Sequence, residues 1–511
     1  MKGLLVIFLC FLRYSLQKCT PEDDHYVAAV VEFPISTNVT NNLKQYVNII
    51  KKAAKKNADI IVFPERTLTG VYVSVSIPIY GLLKKYPIPA AHPDKYDNIL
   101  VKLSSAAKKN GIYVVANVKE VLDCTQPQQG EQCPGKRKYF YSTNIVFDRK
   151  GALFVRYRKI EIFGEPFFTS YRGKDNMAIF DTDFGVKFAN FIELDIIFQV
   201  PQMKWIAERK VTDVVYPALW YSEQPYLNAA QVQTTISYGL NLNLLAAGAN
   251  AWEDKGAGGS GIFSGKAGAL TSVVRKVTSY RLLVAQVPKI PGDVKQTYPG
   301  PLESEPSELD SMITLTDTSI DTFLTKPLEP GYQEFTLDYQ DVSCSFTVNI
   351  TLGSGEEYYR YRAAAFSGVR KLVVDITGGV RTCSIISCTD DGIYSCAKRF
   401  PTYSEDSIAE FSELKIVGTV PTPGKYPTTH AEDGTFHITS LKTSHTALQA
   451  DDVDYKQQVQ GSQSVYTMSL KNLESQLYTF GFYGRKFTDD GKPVTSTLAE
   501  NIVTKTNMWE E

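Results

Sequence analysis

Between residues 26 and 247, short apolar runs alternate with segments of helical period, and this alternation constrains the fold most. Tyr26 to Val31 is an apolar run ended by Pro34, and Ile60 to Phe63 is a second one ended by Pro64-Glu65. Ile112 to Val118, Val186 to Ile192, Val211 to Tyr216 and Leu242 to Ala247 repeat the pattern. A strand that is apolar without alternation has both faces covered. Helices are predicted between them over Asn41 to Asn57, Tyr96 to Lys109, Val200 to Arg209 and Tyr226 to Gly239. In the first, Leu43, Val47, Ile50 and Ala54 recur at helical spacing, with Lys51, Lys52, Lys55 and Lys56 on the solvated face. Asp148-Arg149-Lys150-Gly151 marks a hairpin between Thr143 to Phe147 and Ala152 to Tyr157. Strands alternating with helices imply a layered α/β core.

The texture changes near residue 288. Five prolines fall between Pro288 and Pro306, interleaved with Glu303, Glu305, Glu308 and Asp310, which is linker composition. Beyond Gly331 strand-type runs dominate: Cys344 to Leu352, Tyr358 to Phe366, Lys371 to Ile376, Phe436 to Leu441 and Val465 to Leu470. The chain therefore divides into a leader at 1–18, an α/β domain at 19–290, a linker at 291–330 and a smaller β-rich domain at 331–511.

The leader is Lys2 followed by the apolar run Leu4 to Leu12, about half the roughly 20 residues a spanning helix needs. It reads as a secretory signal. The polar C-terminal stretch carries no glycolipid-anchor pattern, so a secreted, extracellular protein without transmembrane or lipid anchor is expected. The eight cysteines fit an oxidising compartment. Cys124 and Cys133 flank a Gln/Pro/Gly loop and are expected to pair locally. Cys344, Cys383, Cys388 and Cys396 allow three connectivities. Asn38-Val39-Thr40 and Asn349-Ile350-Thr351 are glycosylation sequons at Asn38 and Asn349. Lys plus Arg number 54 against 55 Asp plus Glu, and that balance argues against a nucleic-acid partner.

Three polar points stand at or near strand ends, where α/β folds place sites. They are Glu65 in Val62-Phe63-Pro64-Glu65, Lys159 in Arg158-Lys159-Ile160 with Phe163-Gly164-Glu165-Pro166 after it, and Glu193 in Phe191-Ile192-Glu193-Leu194-Asp195. Each alone is weak, but their order resembles the nitrilase superfamily, and within it the biotinidase and vanin (pantetheine hydrolase) branch. Tyr216-Pro217-Ala218-Leu219-Trp220, Asn241 to Ala246, Gly259 to Ile262 and Phe480 to Arg485 support the resemblance.

That resemblance implies a four-layer αββα sandwich with a smaller C-terminal, β-rich, disulfide-containing domain, and hydrolysis of an amide carbon–nitrogen bond without a cofactor or metal. It gives Glu65 the general-base position, Lys159 the oxyanion position and Glu165 an accessory acid position. The family's nucleophile is a Cys, and this chain has Glu193 there. No Cys lies between Cys133 and Cys344, so no small shift of alignment restores a thiol. A carboxylate is a weak nucleophile toward an amide, and Glu65, Glu165 and Glu193 are like charges in one pocket. At least one is expected to have a raised pKa, unless a Lys159–Glu193 pair fills the site.

The leading expectation is therefore a secreted pseudoenzyme, with a small amide-like ligand in the former cleft or an extracellular protein as its partner. A second is an amide hydrolase in which Glu65 and Glu193 activate water beside Lys159. A third, a hard cation on the three carboxylates, is opposed by the charge of Lys159. Gly256 to Gly261 lacks the Gly-Lys-Ser/Thr ending of a phosphate loop and reads as a turn. Trp220 and Tyr221 are candidates to line the pocket or to sit in the core.

Overall fold

The computed structural model describes residues 18–126, 130–162, 164–173, 176, 178–199, 206, 209–294, 301–373, 376–425 and 432–495. Apart from Lys18, the leader lies outside these residues, as does most of the helix expected over 200–209.

The first domain contains β1 (His25–Pro34), α1 (Val39–Lys55), β2 (Ile60–Val62), α2 (Asn98–Asn110), β3 (Tyr113–Asp123), β4 (Lys138–Phe147) and β5 (Leu153–Arg158). It continues with β6 (Ile179–Asp181), β7 (Lys187–Asn190), β8 (Asp213–Ala218), α3 (Ala229–Leu240), β9 (Asn243–Asn250), β10 (Ser260–Ser264), β11 (Ala269–Val273), β12 (Arg281–Pro288) and β13 (Leu302–Glu303). One sheet runs β12-β1-β2-β3-β4-β5 and the other β6-β7-β8-β9-β10-β11-β13, joined where Phe33 meets Ala249. The pairs β1/β2, β2/β3, β7/β8 and β8/β9 are parallel.

The layers follow from side-chain alternation. Ala29, Val31 and Phe33 of β1 pack with Tyr46, Ile49 and Leu103 of the helices α1 and α2. Ala28 and Val30 pack instead with Val215, Leu245 and Ile262 of the second sheet. That sheet's far face, Val214, Tyr216, Leu244 and Ala246, meets Ala229 and Val232 of α3. The order is helix, sheet, sheet, helix, the nitrilase-type α/β fold, and it explains why β1 is apolar throughout. The buried stripe of α1 is Leu43, Tyr46, Ile49, Ile50 and Ala53. It is rotated from the expected one because Tyr46 stacks on Phe63 at 3.9 Å. The four lysines face solvent as expected.

The C-terminal domain is two antiparallel sheets. Its strands are β14 (Leu324–Pro327), β15 (Gly331–Tyr339), β16 (Val342–Thr351), β17 (Arg360–Val373), β18 (Ile376–Cys388), β19 (Glu410–Pro421), β20 (His437–Lys442), β21 (Val453–Gln460), β22 (Gln463–Leu470) and β23 (Leu477–Lys486). The orders are β14-β17-β18-β23-β20 and β15-β16-β19-β22-β21. Lys371 to Ile376, expected as one strand, divides between the end of β17 and the start of β18. The disulfide Cys344–Cys383 ties β16 in one sheet to β18 in the other, and Cys388 pairs with Cys396. In the first domain Cys124 pairs with Cys133.

The segment 301–330 is built into both domains. Its β13 extends the second sheet, Leu315–Thr316 pairs with Glu223–Gln224, and β14 pairs with β17. One hydrophobic cluster runs from Val214, Tyr216 and Leu244 to Phe346, Ile385 and Phe482, so the domains share a core. Among the described residues no helix is long and apolar enough to cross a membrane.

Candidate active site

Glu65 stands three residues beyond β2, Lys159 directly after β5, and Glu193 three residues beyond β7, where a short 3-10 turn, Glu193–Ile197, begins. The fold brings these three strand ends and the Glu165 loop to one point. Lys159 Nζ lies 3.1 Å from Glu65 Oε1, 2.7 Å from Glu165 Oε1 and 2.6 Å from Glu193 Oε2. Glu65 and Lys159 are fully buried, and Glu193 is 7% exposed. An ammonium has three N–H donors, and three carboxylates converge on this one. The cation at their meeting point is thus the lysine itself.

Glu193 has φ +44°, in the left-handed region that costs a non-glycine residue about 1–3 kcal/mol unless its surroundings hold it. They do: the Tyr216 hydroxyl donates to the Glu193 carbonyl at 3.0 Å. Asp195 ties this turn to the lysine strand. It accepts from Tyr157 Oη at 2.7 Å and from the backbone N–H of Ile192, Ile160 and Glu161. From the other domain, Arg485 Nη1 donates to the Ile197 carbonyl at 2.5 Å, which gives the late Phe480 to Arg485 string a place beneath the turn.

Several supporting residues escaped the sequence reading. Ser142 Oγ donates to Glu65 Oε1 at 2.8 Å, and Asn117 Nδ2 donates to Ser142 and to Asn144. Asn117 Oδ1 accepts from the Arg66 backbone N–H. The Arg66 side chain is paired to Glu165 and lies 4.8 Å over the Phe168 ring. Asn117, Ser142 and Asn144 are polar positions buried within β3 and β4. That is a usable signal, because a buried polar side chain needs a partner.

The electrostatics divide the carboxylates. Burial alone would depress the Lys159 ammonium, but Glu165, Glu193 and Glu65 outweigh it and hold its pKa above the ordinary lysine value. Burial pushes Glu65 up, and Lys159 and Arg66 bring it below the usual carboxylate range. Glu193 is raised to about 7 by burial first, reinforced by Glu65 and Glu165 and opposed by Lys159.

The cluster floors a cavity of about 380 Å³. Its walls include Trp220, Tyr221 and Leu227 of the first domain, Leu315 and Thr316 of the connecting segment, and Lys371 and Leu372 of β17. The second domain thus contributes to the site, which no local motif signals. Arg66, Leu219 and Tyr221 also wall a neighbouring cavity of about 500 Å³.

The glycine-rich run Gly256 to Gly261 cradles a side chain. Glu32 is fully buried, accepting from Asn250 Nδ2 at 2.7 Å and Gly259 N at 3.0 Å, with Ser260 Oγ also in contact. A Cβ on Gly258, at φ +151°, would lie 3.0 Å from Glu32 Oε1. Burial raises Glu32 to about 7 against these neutral donors. A carboxyl raised above its unfolded value is stabilising while protonated, and that contribution is lost as pH climbs through 7. Glu32→Gln, which stays neutral, is therefore expected to reduce the loss of stability between pH 5 and pH 8 by about 2 kcal/mol. Urea midpoints of both proteins at the two pH values check this, and an unchanged pH dependence would refute it.

Comparison with known proteins accords with this architecture. The carbon-nitrogen hydrolase model matches residues 27–235 and the vanin C-terminal domain model residues 312–490. Vanin-like protein 1 of Drosophila melanogaster is 31% identical over 93% of this chain and 88% of its own length. A pantetheinase of Bos taurus is 26% identical over 99% and 98%. Among solved structures, an amidase from Nesterenkonia sp. is 17% identical, covering 52% of this chain and 91% of its own, with a TM-score of 0.38. On the matched domains and full-length relatives, the chain belongs to the vanin branch of the carbon-nitrogen hydrolase family.

Proposed function

We propose that this chain is a secreted vanin-type homologue that retains the family's cleft but does not hydrolyse amides there. The observation that carries this reading is the side chain at Glu193. At the position where the family resemblance implies a thiol, a carboxylate is ion-paired to Lys159 at 2.6 Å. An acyl transfer through Glu193 would need a weak nucleophile to form a mixed anhydride while expelling an amine. All three Lys159 donors are engaged by carboxylates, which leaves none for an oxyanion.

A second reading has one observation in its favour. Glu65 is held low and Glu193 is raised to about 7, and carboxylates split in this way serve as base and acid elsewhere. In that reading the pair activates water. The deciding experiment is an amidase assay of the purified full chain on pantetheine and on a biotinyl amide, beside Glu193→Ala. No turnover above the variant supports the inactive reading, whereas turnover that the substitution abolishes supports water activation and overturns it.

The extracellular assignment rests on the leader pattern, the sequons at Asn38 and Asn349, and three disulfides. Expression in secretory cells is expected to give glycosylated protein in the medium, and protein retained in the cytosol would contradict the assignment.

A further inference from the structure

The floor of the 380 Å³ cavity is rich in carboxylate acceptors, and its two cations are charge-paired to them. Glu65 lines the cavity, and its Oε2 is buried without a hydrogen-bond partner among the described residues. Glu193 uses Oε2 for Lys159 and for the Leu194 N–H, which leaves Oε1 as a further acceptor. Both cations are charge-paired, Lys159 to three carboxylates and Arg66 to Glu165, and Arg66 Nε, which has no hydrogen-bond partner among the described residues, lies 4.0 Å from Glu65 Oε1. With Glu65, Glu165 and Glu193 ionised, the cluster carries one negative charge more than its cations balance. Higher on the wall, Glu223 is already paired to Arg370, and Lys371 is exposed at the rim. Trp220, Leu227, Leu315 and Leu372 give the cavity apolar sides. Its volume is within the range of small-molecule sites, about 300–1,000 Å³.

We infer that this cavity binds a primary alkylammonium ion, with its head against Glu65 and Glu193 and its chain along the apolar wall. The inference rests on the inactive reading, because a site that turns over amides would hold such an amine only in passing. An ammonium supplies the donors that Glu65 Oε2 lacks and the positive charge that the cluster lacks. Among the described residues no group of three or more His, Cys, Asp and Glu is placed to hold a metal ion.

Charge coupling gives the inference a second readout. Lys159, Arg66, Glu65, Glu165 and Tyr221 act on Glu193, with the Tyr216 hydroxyl and the Asp195 carboxyl beside its turn. Glu193 is raised to about 7, so an arriving cation displaces its proton. Binding is then stronger at pH 8 than at pH 6, by about tenfold for a single proton released.

The test is calorimetric titration of the full chain with butylammonium chloride at both pH values, in two buffers of different ionisation enthalpy. Butyramide and butyrate serve as neutral and anionic equals. Saturable binding of butylammonium alone, with proton release and at least a tenfold loss in Glu193→Gln, is expected. Equal binding of butyramide, no saturable binding of butylammonium, or unchanged affinity in a folded Glu193→Gln overturns the inference. The comparison of the three probes and the proton release use the unmodified chain, so they decide even if the variant does not fold. Amide turnover in the preceding assay would overturn the inactive reading, whereas failure of butylammonium to bind a protein without turnover overturns this inference alone.

Discussion

Replacing Lys159 by Met is expected to destabilise the chain by about 3–5 kcal/mol at pH 8, the cost of removing one partner from a buried ionic cluster. The lysine is fully buried and contacts all three of Glu65, Glu165 and Glu193. Methionine fills much of the stem's volume, so the loss is mainly charge. Arg66 remains, but it is placed on Glu165 and only 4.0 Å from Glu65. The sign of the pH dependence follows from the same geometry. Without the ammonium Glu193 rises further above its unfolded value, and Glu65 loses the charge that holds it below the usual range. Folding then favours protonation, and stability is lost as pH rises through those values. The deficit relative to the unmodified chain is therefore expected to be largest at pH 8 and smaller at pH 5. Urea denaturation at both pH values measures it, and a difference below about 1 kcal/mol at pH 8 would mean the cluster is solvated rather than buried.

The second large effect is expected where the domains meet. Arg370 of β17 is fully buried, with Nη1 2.7 Å from Asp317 Oδ2 and Nη2 on Glu223. Burial raises Glu223 and the Arg370 charge opposes that rise. Arg370→Met leaves two carboxylates without their cation and is expected to cost about 3–5 kcal/mol. It should also disturb the cavity, because Glu223, Lys371 and Leu372 line it. Two readouts separate these consequences: the denaturation midpoint reports stability, and accessibility of the Trp220 wall to a fluorescence quencher reports the cavity. An unchanged midpoint would show that the domain contact does not depend on this triad.

The sequence carried the layered core because strands buried on both faces are apolar without interruption, as β1 and β9 are. It also carried Glu65, Lys159 and Glu193, three polar positions at or near strand ends whose order resembles the family's, with Glu165 in the string that follows Lys159. The residues it did not carry are those whose role depends on pairing. Asn117, Ser142 and Asn144 look like ordinary polar positions until β3 and β4 align them. Arg66 neighbours Glu65, yet its side chain is engaged by the Glu165 loop about a hundred residues later. Lys371 and Leu372 sit in a strand whose pattern reports only its own sheet. The C-terminal strands Ile376–Cys388 and Leu477–Lys486 are buried almost throughout yet carry Thr, Ser, Gly and Arg, and Glu410–Pro421 is half-buried and mixes polar with apolar residues, so no apolar run marks their extent and tertiary pairing settles it.

The shared core has a consequence for biosynthesis. During translation the outer face of the second sheet, with Val214, Tyr216 and Leu244, is complete once β9 has emerged. That face belongs to one hydrophobic cluster with Phe480 and Phe482 of β23, the last strand among the described residues. At about 5–20 residues per second the ribosome needs roughly 10–50 s to span that interval. Through that time the nascent chain holds an apolar sheet face with part of its cover still unmade. Its yield should therefore depend on chaperones that shield such surfaces, and a nonsense codon anywhere before β23 should produce an aggregating fragment instead of a smaller working domain.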